Sequence, residues 1–563
     1  MDGGMTRRTG DWARLLLAPS GSDLFRVHLP PGVWRRAGWA ALGLAVALGV
    51  MMHDQVGHPY SVPDHGDPLF SMWRIGWVLH QLVTDPAHLF DANIFYPERL
   101  TLTLSDSIIL PALTAAPLLA AGVPLVVAYN IVFLSSLWIS GLATYLLVER
   151  LTGSARGAFI AGLIYACYPY RLDHLSHLEL QVTQWMPLGL LALHLFVATG
   201  RWPYAFALAC AGVAQLYSSM YYAVFFLIYA AAIGVGLLII HRPPLRRLAL
   251  PVAAAAVAAT LAAVPLARAF SAAQSTKGDR PVEEVRFYSA KLSDYLSAPL
   301  SSALWGKRTP WPAPERALFP GVAPLALAAI GAIPPLSGAR LLYLAGLILS
   351  VDGSRGFNGV VYPHLHRWLA PVRGLRVPAR FGALVGLSLA ILAGYGALRV
   401  LRWCRSRRRA QAAFLALTAG VMTDAWPDFN VRPVWTEPPA VYAHLKDRRD
   451  VVLAEFPVTE AVHLNAPYMY FSLWHWAPMV NGYSGSFPPS YQALAPQLMA
   501  FPRGDSVDAL RRRGVTHVTV NCGLGYPNCQ ETASLMWQSK DLRLIADTLW
   551  QGGPVQLYEL IGR

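Results

Sequence analysis

"PLVVAYNIVFLSSLWISGLATYLLV", residues 124–148, is the stretch that decides the fold. Its 25 residues include no Asp, Glu, Lys or Arg. A helix needs about 20 predominantly apolar residues to cross the hydrocarbon core of a bilayer. The stretch is therefore long enough to span a membrane as one helix, and it predicts an integral membrane protein.

Similar apolar runs occur along most of the chain. The 563 residues are 55% hydrophobic and 14% charged, with a mean hydropathy of +0.38, which is too much apolar surface for a soluble protein of this length to bury. We leave the apolar segment 107–121 out of the count of spanning segments. The sequence then predicts an α-helical polytopic membrane protein with about eleven transmembrane helices, near residues 36–53, 124–148, 156–170, 184–200, 203–219, 221–240, 248–268, 317–335, 339–351, 380–401 and 410–424.

The basic residues follow the ends of these runs. A net charge of +14 would suggest nucleic acid as a partner of a soluble protein, but here the arginines lie largely between apolar segments. With 107–121 outside the membrane plane or re-entrant, the arginine-rich connections all fall on one side, as the positive-inside rule expects of the cytoplasm. The pattern predicts a cytoplasmic segment 1–35, a retained first helix and no binding of nucleic acid.

Three segments then face away from the cytoplasm. The first loop, 54–123, carries seven acidic residues, and the second loop, 270–316, is rich in basic ones. The third is the C-terminal segment, 425–563, which follows the transmembrane domain 36–424. In it "DVVLAEFP", "GVTHVTVNC", "LRLIADTLW" and "VQLYEL" are typical of strands and "SYQALAPQLMAF" of a helix. The C-terminal segment is therefore predicted to be a small extracytoplasmic α/β domain.

Two cysteines lie in the C-terminal segment, in "NCGLGYPNC". Cys522 and Cys529 would form a disulfide in an oxidising compartment. A metal site is the alternative, but this spacing, with no nearby His or third Cys, suits zinc poorly.

Basic residues on the predicted outer side are candidates for binding a phosphate. Arg373, Arg376 and Arg380 stand just before the tenth apolar run, where the positive-inside rule predicts few arginines. The guanidinium fork matches a phosphate well, whereas the alternative is an Arg that snorkels to the membrane interface. Lys277 and Arg280 of the second loop are further candidates.

Polar residues after the third run form a second group of candidates. His174 and His177, three residues apart and close to Glu179, could share a helical face and bind a metal, or they could be interfacial polar residues. The same stretch contains Arg171. Asp106 lies in the first loop, in "SDS".

The acids of "VPDHGDPLF", residues 62–70, are the candidates for proton transfer. An acidic centre that faces a basic one at a membrane surface suits transfer from a lipid phosphate to a hydroxyl, since one side accepts a proton and the other holds the leaving phosphate. We predict Asp67 as the general base, with Asp64 as the alternate and His65 as a metal or phosphate contact. Pro68 places Asp67 at or near a helix N-cap, so a purely capping role is the alternative.

This organisation resembles the GT-C superfamily of integral-membrane glycosyltransferases. The resemblance rests on Asp64 and Asp67 in a long first loop, on "DPLFSMWRIGW", "DANIFYP" and "SDS" after them, on "YPYRLDHLSHLELQVTQWMP", on "LRVPARF" and on "NGYSGSFPPSY" in the C-terminal segment. The first-loop acids depart from an adjacent or alternating acidic pair.

The resemblance implies an inverting, single-displacement transfer of a sugar from a polyprenyl-phosphate carrier to an extracytoplasmic acceptor, in a bacterial plasma membrane. Some members of the superfamily use a divalent metal such as Mg or Mn to hold the phosphate, and the basic second loop favours a metal-free site here. A transporter or flippase is the alternative, although the runs carry few acids in their interiors. A non-catalytic assembly protein would need neither the acidic nor the basic face.

Overall fold

The computed structural model describes residues 32–562, apart from the side chains of residues 276 and 277. The predicted cytoplasmic segment 1–35 lies almost wholly outside the described residues, and so does the side chain of Lys277.

Each of the eleven apolar runs contains a helix. Among residues 32–562, five helices are long and apolar enough to cross a membrane by length and composition, within residues 125–152, 178–199, 220–241, 245–275 and 378–403. The count of eleven spanning helices therefore stays a prediction. The helices of the eleven runs are Val33–Met51, Leu125–Thr152, Ala155–Ala166, Trp185–Thr199, Trp202–Ser218, Met220–His241, Leu245–Lys277, Val322–Gly331, Gly338–Ser354, Gly382–Trp403 and Arg407–Asp424.

The helix Gly382–Trp403 lies at the centre of the bundle and is buried almost throughout. It packs against Val322–Gly331 so closely that a Cβ on Gly396 would lie 1.8 Å from the carbonyl oxygen of Leu327. Small residues allow such backbone contact where helices associate within a membrane. By contrast, the long helix Leu245–Lys277 is mostly exposed at the edge of the bundle.

The first loop is folded rather than irregular. After the short helix His53–Gly57 it contains the helices Asp67–Thr84 and Ile109–Ala120. The segment 107–121, which was left out of the spanning count, thus forms a helix of 12 residues, too short to cross a bilayer. Strand β1 (Ser61–Val62) pairs antiparallel with β2 (Arg432–Pro433), so the first loop is joined to the C-terminal segment.

Short helices occupy the other connections that surround the first loop. The stretch after the third run forms Pro169–Asp173 and Leu178–Gln181, and the second loop forms Val282–Phe287. Before the central helix the chain forms Val361–Trp368 and Ala370–Arg373 and then a 3₁₀ turn, Pro378–Phe381.

The C-terminal segment contains a four-stranded sheet. Its strands β3 (Leu453–Phe456), β4 (His517–Asn521), β5 (Leu542–Trp550) and β6 (Gly553–Leu560) have the order β3–β4–β6–β5. The pair β3–β4 is parallel and the other two pairs are antiparallel. All four stretches predicted as strands are strands, and the structure joins Cys522 to Cys529 as a disulfide after β4. The helices of this segment are Val462–Phe471, Pro489–Leu494, Ser506–Arg512 and Cys529–Gln538.

Candidate active site

Asp67 is the first residue of its helix and points to a neighbouring polar segment. Gly66 is the N-cap and carries no side-chain cap, and Asp67 lies one position inside it, followed by Pro68. The Asp67 side chain is 21% exposed, and its Oδ2 lies 3.4 Å from Nε2 of His177. The other ring nitrogen of His177, Nδ1, is buried without a hydrogen-bond partner. The structure thus gives Asp67 a partner across the site and no capping bond.

The surroundings of Asp67 favour its protonated form. Burial raises the pKa of the Asp67 carboxyl above its ordinary value, and the neighbouring carboxylates of Glu179 and Asp64 add to this, while His177 and Arg74 oppose it. A carboxylate with a raised pKa is a better proton acceptor, which is the property that a general base requires.

Asp64, the alternate base, has its carboxylate engaged within the protein. Its Oδ1 accepts a hydrogen bond of 2.7 Å from the backbone N–H of Gly66, and its Oδ2 accepts one from the Ser176 hydroxyl. These bonds fix the turn that leads into the Asp67 helix. Asp64 therefore has the surroundings of a residue that holds the turn, and Asp67 those of a residue that faces the site.

A buried ion pair anchors the Asp67 helix. Arg74, 1% exposed, donates to Oε2 of Glu179 at 2.8 Å and to the backbone carbonyl of Asp106 at 2.7 Å. Asp106 in turn accepts from the Ser219 hydroxyl and from the N–H of Met220, at the start of another helix. Burial raises the pKa of Asp106 to about 6, and Glu179 adds to this. Glu179 and Asp106 thus hold the Asp67 helix in place through their contacts with Arg74.

Tyr483 of the C-terminal segment packs on the helix that begins with Asp67, and the sequence reasoning did not single it out. Its ring packs edge-on against Phe70, with centroids 5.3 Å apart. Burial raises the pKa of the Tyr483 phenol, and the Asp67 carboxylate raises it further, whereas Arg376 lowers it. The phenol is therefore close to both the candidate base and a candidate phosphate ligand. Its only sequence signal is a tyrosine in "NGYSGSF", between two glycines.

The predicted phosphate ligands divide into two groups. Arg376 and Arg280 both lie near Glu284, at 3.7 Å each, and both are partly exposed. Arg280 also donates to the carbonyl of Gly485 at 2.8 Å, two residues beyond Tyr483. Arg373 is more exposed, with Asp279 at 3.8 Å. Arg376 and Arg280 are thus the arginines that the structure brings to the Tyr483 side of the site.

Arg380 is held by a carboxylate that the sequence reasoning overlooked. It donates to both oxygens of Glu315, at 3.1 and 2.6 Å, and Glu315 also contacts Nε2 of His174 at 3.0 Å. Although burial alone would raise the pKa of Glu315, Arg380 and His174 hold it well below the usual range. Burial alone would lower the pKa of His174, but the bond to Glu315 raises it. His174 and His177 therefore have different partners.

Arg171 and His65 make contacts that hold the backbone. Arg171 is buried and donates to the carbonyls of Tyr165 and Gln181 at 2.8 Å each. His65 bonds the carbonyl of Pro433 at 3.0 Å and packs against Trp435, and burial lowers its pKa. His65 thus connects the first loop to the C-terminal segment.

The donor groups near Asp67 do not suit a divalent metal. Within residues 32–562, apart from the side chains of 276 and 277, no three His, Cys, Asp or Glu residues are grouped so that they could hold an ion. The carboxylates nearest to Asp67 are already engaged, Asp64 by Ser176 and Glu179 by Arg74. The charged groups that remain available to an anion are arginines.

No model of a known protein family matches the chain, and no curated protein sequence matches it. Among solved structures, the chain is similar to a single-particle cryo-EM structure of a mutant of the arabinofuranosyltransferase AftD from mycobacteria. The TM-score is 0.61 at 16% sequence identity, and the match covers 96% of this chain and 42% of the AftD chain. The chain thus spans less than half the length of that protein. A likeness at this identity shows that the chain shares the fold of the matched part of that structure.

Proposed function

We propose that this chain is a membrane glycosyltransferase that moves a sugar from a polyprenyl-phosphate carrier to an acceptor hydroxyl on the outer face of a bacterial plasma membrane. The observation that carries the proposal is Asp67: a partly buried carboxylate with a raised pKa, paired with His177, on a fold similar to that of an arabinofuranosyltransferase. That similarity favours a pentose as the sugar, with a hexose as the second choice.

In the proposed reaction Asp67 takes the proton of the acceptor hydroxyl. The acceptor oxygen forms a bond to the anomeric carbon as the bond from that carbon to the phosphate oxygen breaks, and the configuration inverts. The polyprenyl phosphate leaves with the electron pair of the broken bond. His177 keeps the Asp67 carboxylate oriented, as a partner of a catalytic base does.

The leaving phosphate needs positive charge on the side of the sugar opposite to the base. Arg376 and Arg280 supply it, since both are partly exposed and their nearest carboxylate, Glu284, is 3.7 Å away and so is not in close hydrogen-bond contact. Arg380, which donates hydrogen bonds to both oxygens of Glu315, would instead have a structural role in the lining of the site. A guanidinium preorganised for a phosphate stabilises the charge that develops on it during transfer.

The experiment that tests this proposal is transfer by the purified protein in liposomes. A panel of synthetic polyprenyl-phosphate pentoses and hexoses is supplied with simple alkyl glycosides as acceptors, and products are identified by mass spectrometry. We expect one donor of the panel to give an acceptor heavier by one sugar, with inverted anomeric configuration. Passage of the intact lipid-linked sugar across the liposome membrane without a product would identify a transporter and refute the proposal.

A further inference from the structure

The loop 482–486 of the C-terminal segment enters the candidate active site from outside the helical bundle. Gly482 lies so close to the ring of Phe95 that a Cβ there would be 2.8 Å from it. The backbone N–H of Tyr483 points to Sδ of Met469 at 3.2 Å, and Gly485 accepts the bond from Arg280. Three separate parts of the chain therefore fix the position of this loop.

This position sets the Tyr483 ring above the first turn of the Asp67 helix. Phe70, against which the ring packs, is three residues after Asp67 and so lies on the same face of that helix. A tyrosine that contacts Phe70 edge-on can direct its hydroxyl to the Asp67 carboxylate. Among the residues that the structure describes, Tyr483 is the tyrosine whose ring contacts Phe70.

We propose that Tyr483 is a positioning residue of the transfer reaction: its hydroxyl holds the Asp67 carboxylate in the orientation that accepts the acceptor proton, so that the C-terminal segment completes the active site. The proposal rests on the proposed function for its catalytic consequence. The packing of the Tyr483 ring on Phe70 is the geometric support, and the Asp67 carboxylate raises the pKa of the Tyr483 phenol, as a neighbouring negative charge does.

The proposal makes Asp67 depend on two partners. The charged and titratable groups that act on Asp67 are His177, Glu179, Arg74 and Asp64. The phenol of Tyr483 in turn responds to the Asp67 carboxylate. A hydrogen bond donated to a carboxylate favours its charged form. Removing the Tyr483 hydroxyl should therefore raise the pKa of Asp67, and leave its carboxylate free to turn away from the acceptor.

The test uses Tyr483→Phe, which keeps the ring against Phe70, and Tyr470→Phe as its matched control. Tyr470 is in the same segment and donates one hydrogen bond, to the carbonyl of Trp435. In the transfer assay we expect Tyr483→Phe to lower kcat about tenfold or more, the effect of losing a hydrogen bond to a charged group, with KM for the donor unchanged. The acid limb of the pH–kcat profile of Tyr483→Phe should move to higher pH. Tyr470→Phe should leave both kcat and the pH profile unchanged.

A second measurement needs no activity. Infrared difference spectra between pH steps, compared with those of Asp67→Asn, isolate the carboxyl band of Asp67 in the full-length protein. The midpoint of this band should shift to higher pH in Tyr483→Phe. An unshifted midpoint overturns the role of Tyr483 whatever the enzyme does. A shifted midpoint in a protein that transfers no sugar supports the contact and refutes the proposed function instead.

Discussion

Replacing Asp67 by Asn separates catalysis from structure at this site. The change keeps the shape of the side chain and removes its ability to accept a proton at the rate that transfer requires. Because the Asp67 side chain makes no capping bond, the helix loses only the attraction between a carboxylate and its first turn, about 0.3–1 kcal/mol. Loss of the partly exposed pair with His177 adds about 1 kcal/mol or less. Losing a general base costs about 100-fold or more in rate, which corresponds to about 2.7 kcal/mol in the barrier.

The assay is the transfer reaction in liposomes, with thermal unfolding in detergent measured in parallel. Asp67→Asn should unfold within a few degrees of the wild type and lose at least about 100-fold in kcat. The matched control is Asp85→Asn, at the other end of the same helix, where the carboxylate is half exposed and pairs with His88. An exposed pair of this kind contributes little, so Asp85→Asn should keep full activity.

The pH dependence gives the same test another readout. The pKa of Asp67 is raised above that of an ordinary aspartate. The deprotonated fraction of the base therefore falls at a higher pH than it would for an ordinary aspartate. Activity should therefore decline towards acid pH earlier than an ordinary carboxylate predicts. Near-normal transfer by Asp67→Asn, together with loss of transfer in Asp64→Asn, would refute the reasoning and make Asp64 the base.

Three further predictions concern the phosphate ligand, the disulfide and the topology. Arg376→Lys keeps the charge but loses the bidentate fork, so KM for the donor should rise about tenfold, whereas Arg373→Lys, at a more exposed position, should leave it unchanged. An unchanged KM in Arg376→Lys would show that this arginine does not bind the phosphate. Replacing both Cys522 and Cys529 by Ser opens a loop of eight residues and should lower the free energy of unfolding by about 2–3 kcal/mol, measured by chemical denaturation. Free thiols at these two positions in the wild type, found by peptide mapping without reductant, would contradict the disulfide. A reporter active only in the cytoplasm should be silent when fused after residue 430 and bright when fused after residue 405; signal from both would overturn the predicted orientation.

The elements that the sequence predicts correctly are those whose pattern is local. An apolar run shows in its own residues, and each of the eleven runs contains a helix. The same holds for "DVVLAEFP" and "GVTHVTVNC", the stretches that contain β3 and β4. The number of spanning helices does not follow from such patterns, because helices as short as Ala155–Ala166 depend on their neighbours for their depth in a membrane.

The sequence predicts individual residues of the candidate site, but not the contacts between distant segments that assemble it. Asp67 and His177 were named from polar residues at the ends of apolar runs, but their contact spans 110 positions and no local pattern shows it. Glu315 was missed because it pairs with His174, 141 positions earlier, and the loop around it looks merely basic. Tyr483 was missed because one tyrosine among 24 carries no signal of its own. The strands β1 and β2, of two residues each, are too short to form a pattern.

The pairing of β1 with β2 has a consequence for the biogenesis of the protein. His65 contacts Pro433 across 368 positions of the chain, so the turn before Asp67 gains this partner only after those positions have been made. Tyr483 follows later still. A nascent chain that ends before residue 425 still lacks the residues with which the C-terminal segment borders the candidate site. The candidate site is therefore completed only after the helices that precede this segment have been made, and a product truncated there would lack Tyr483 and the partner of β1.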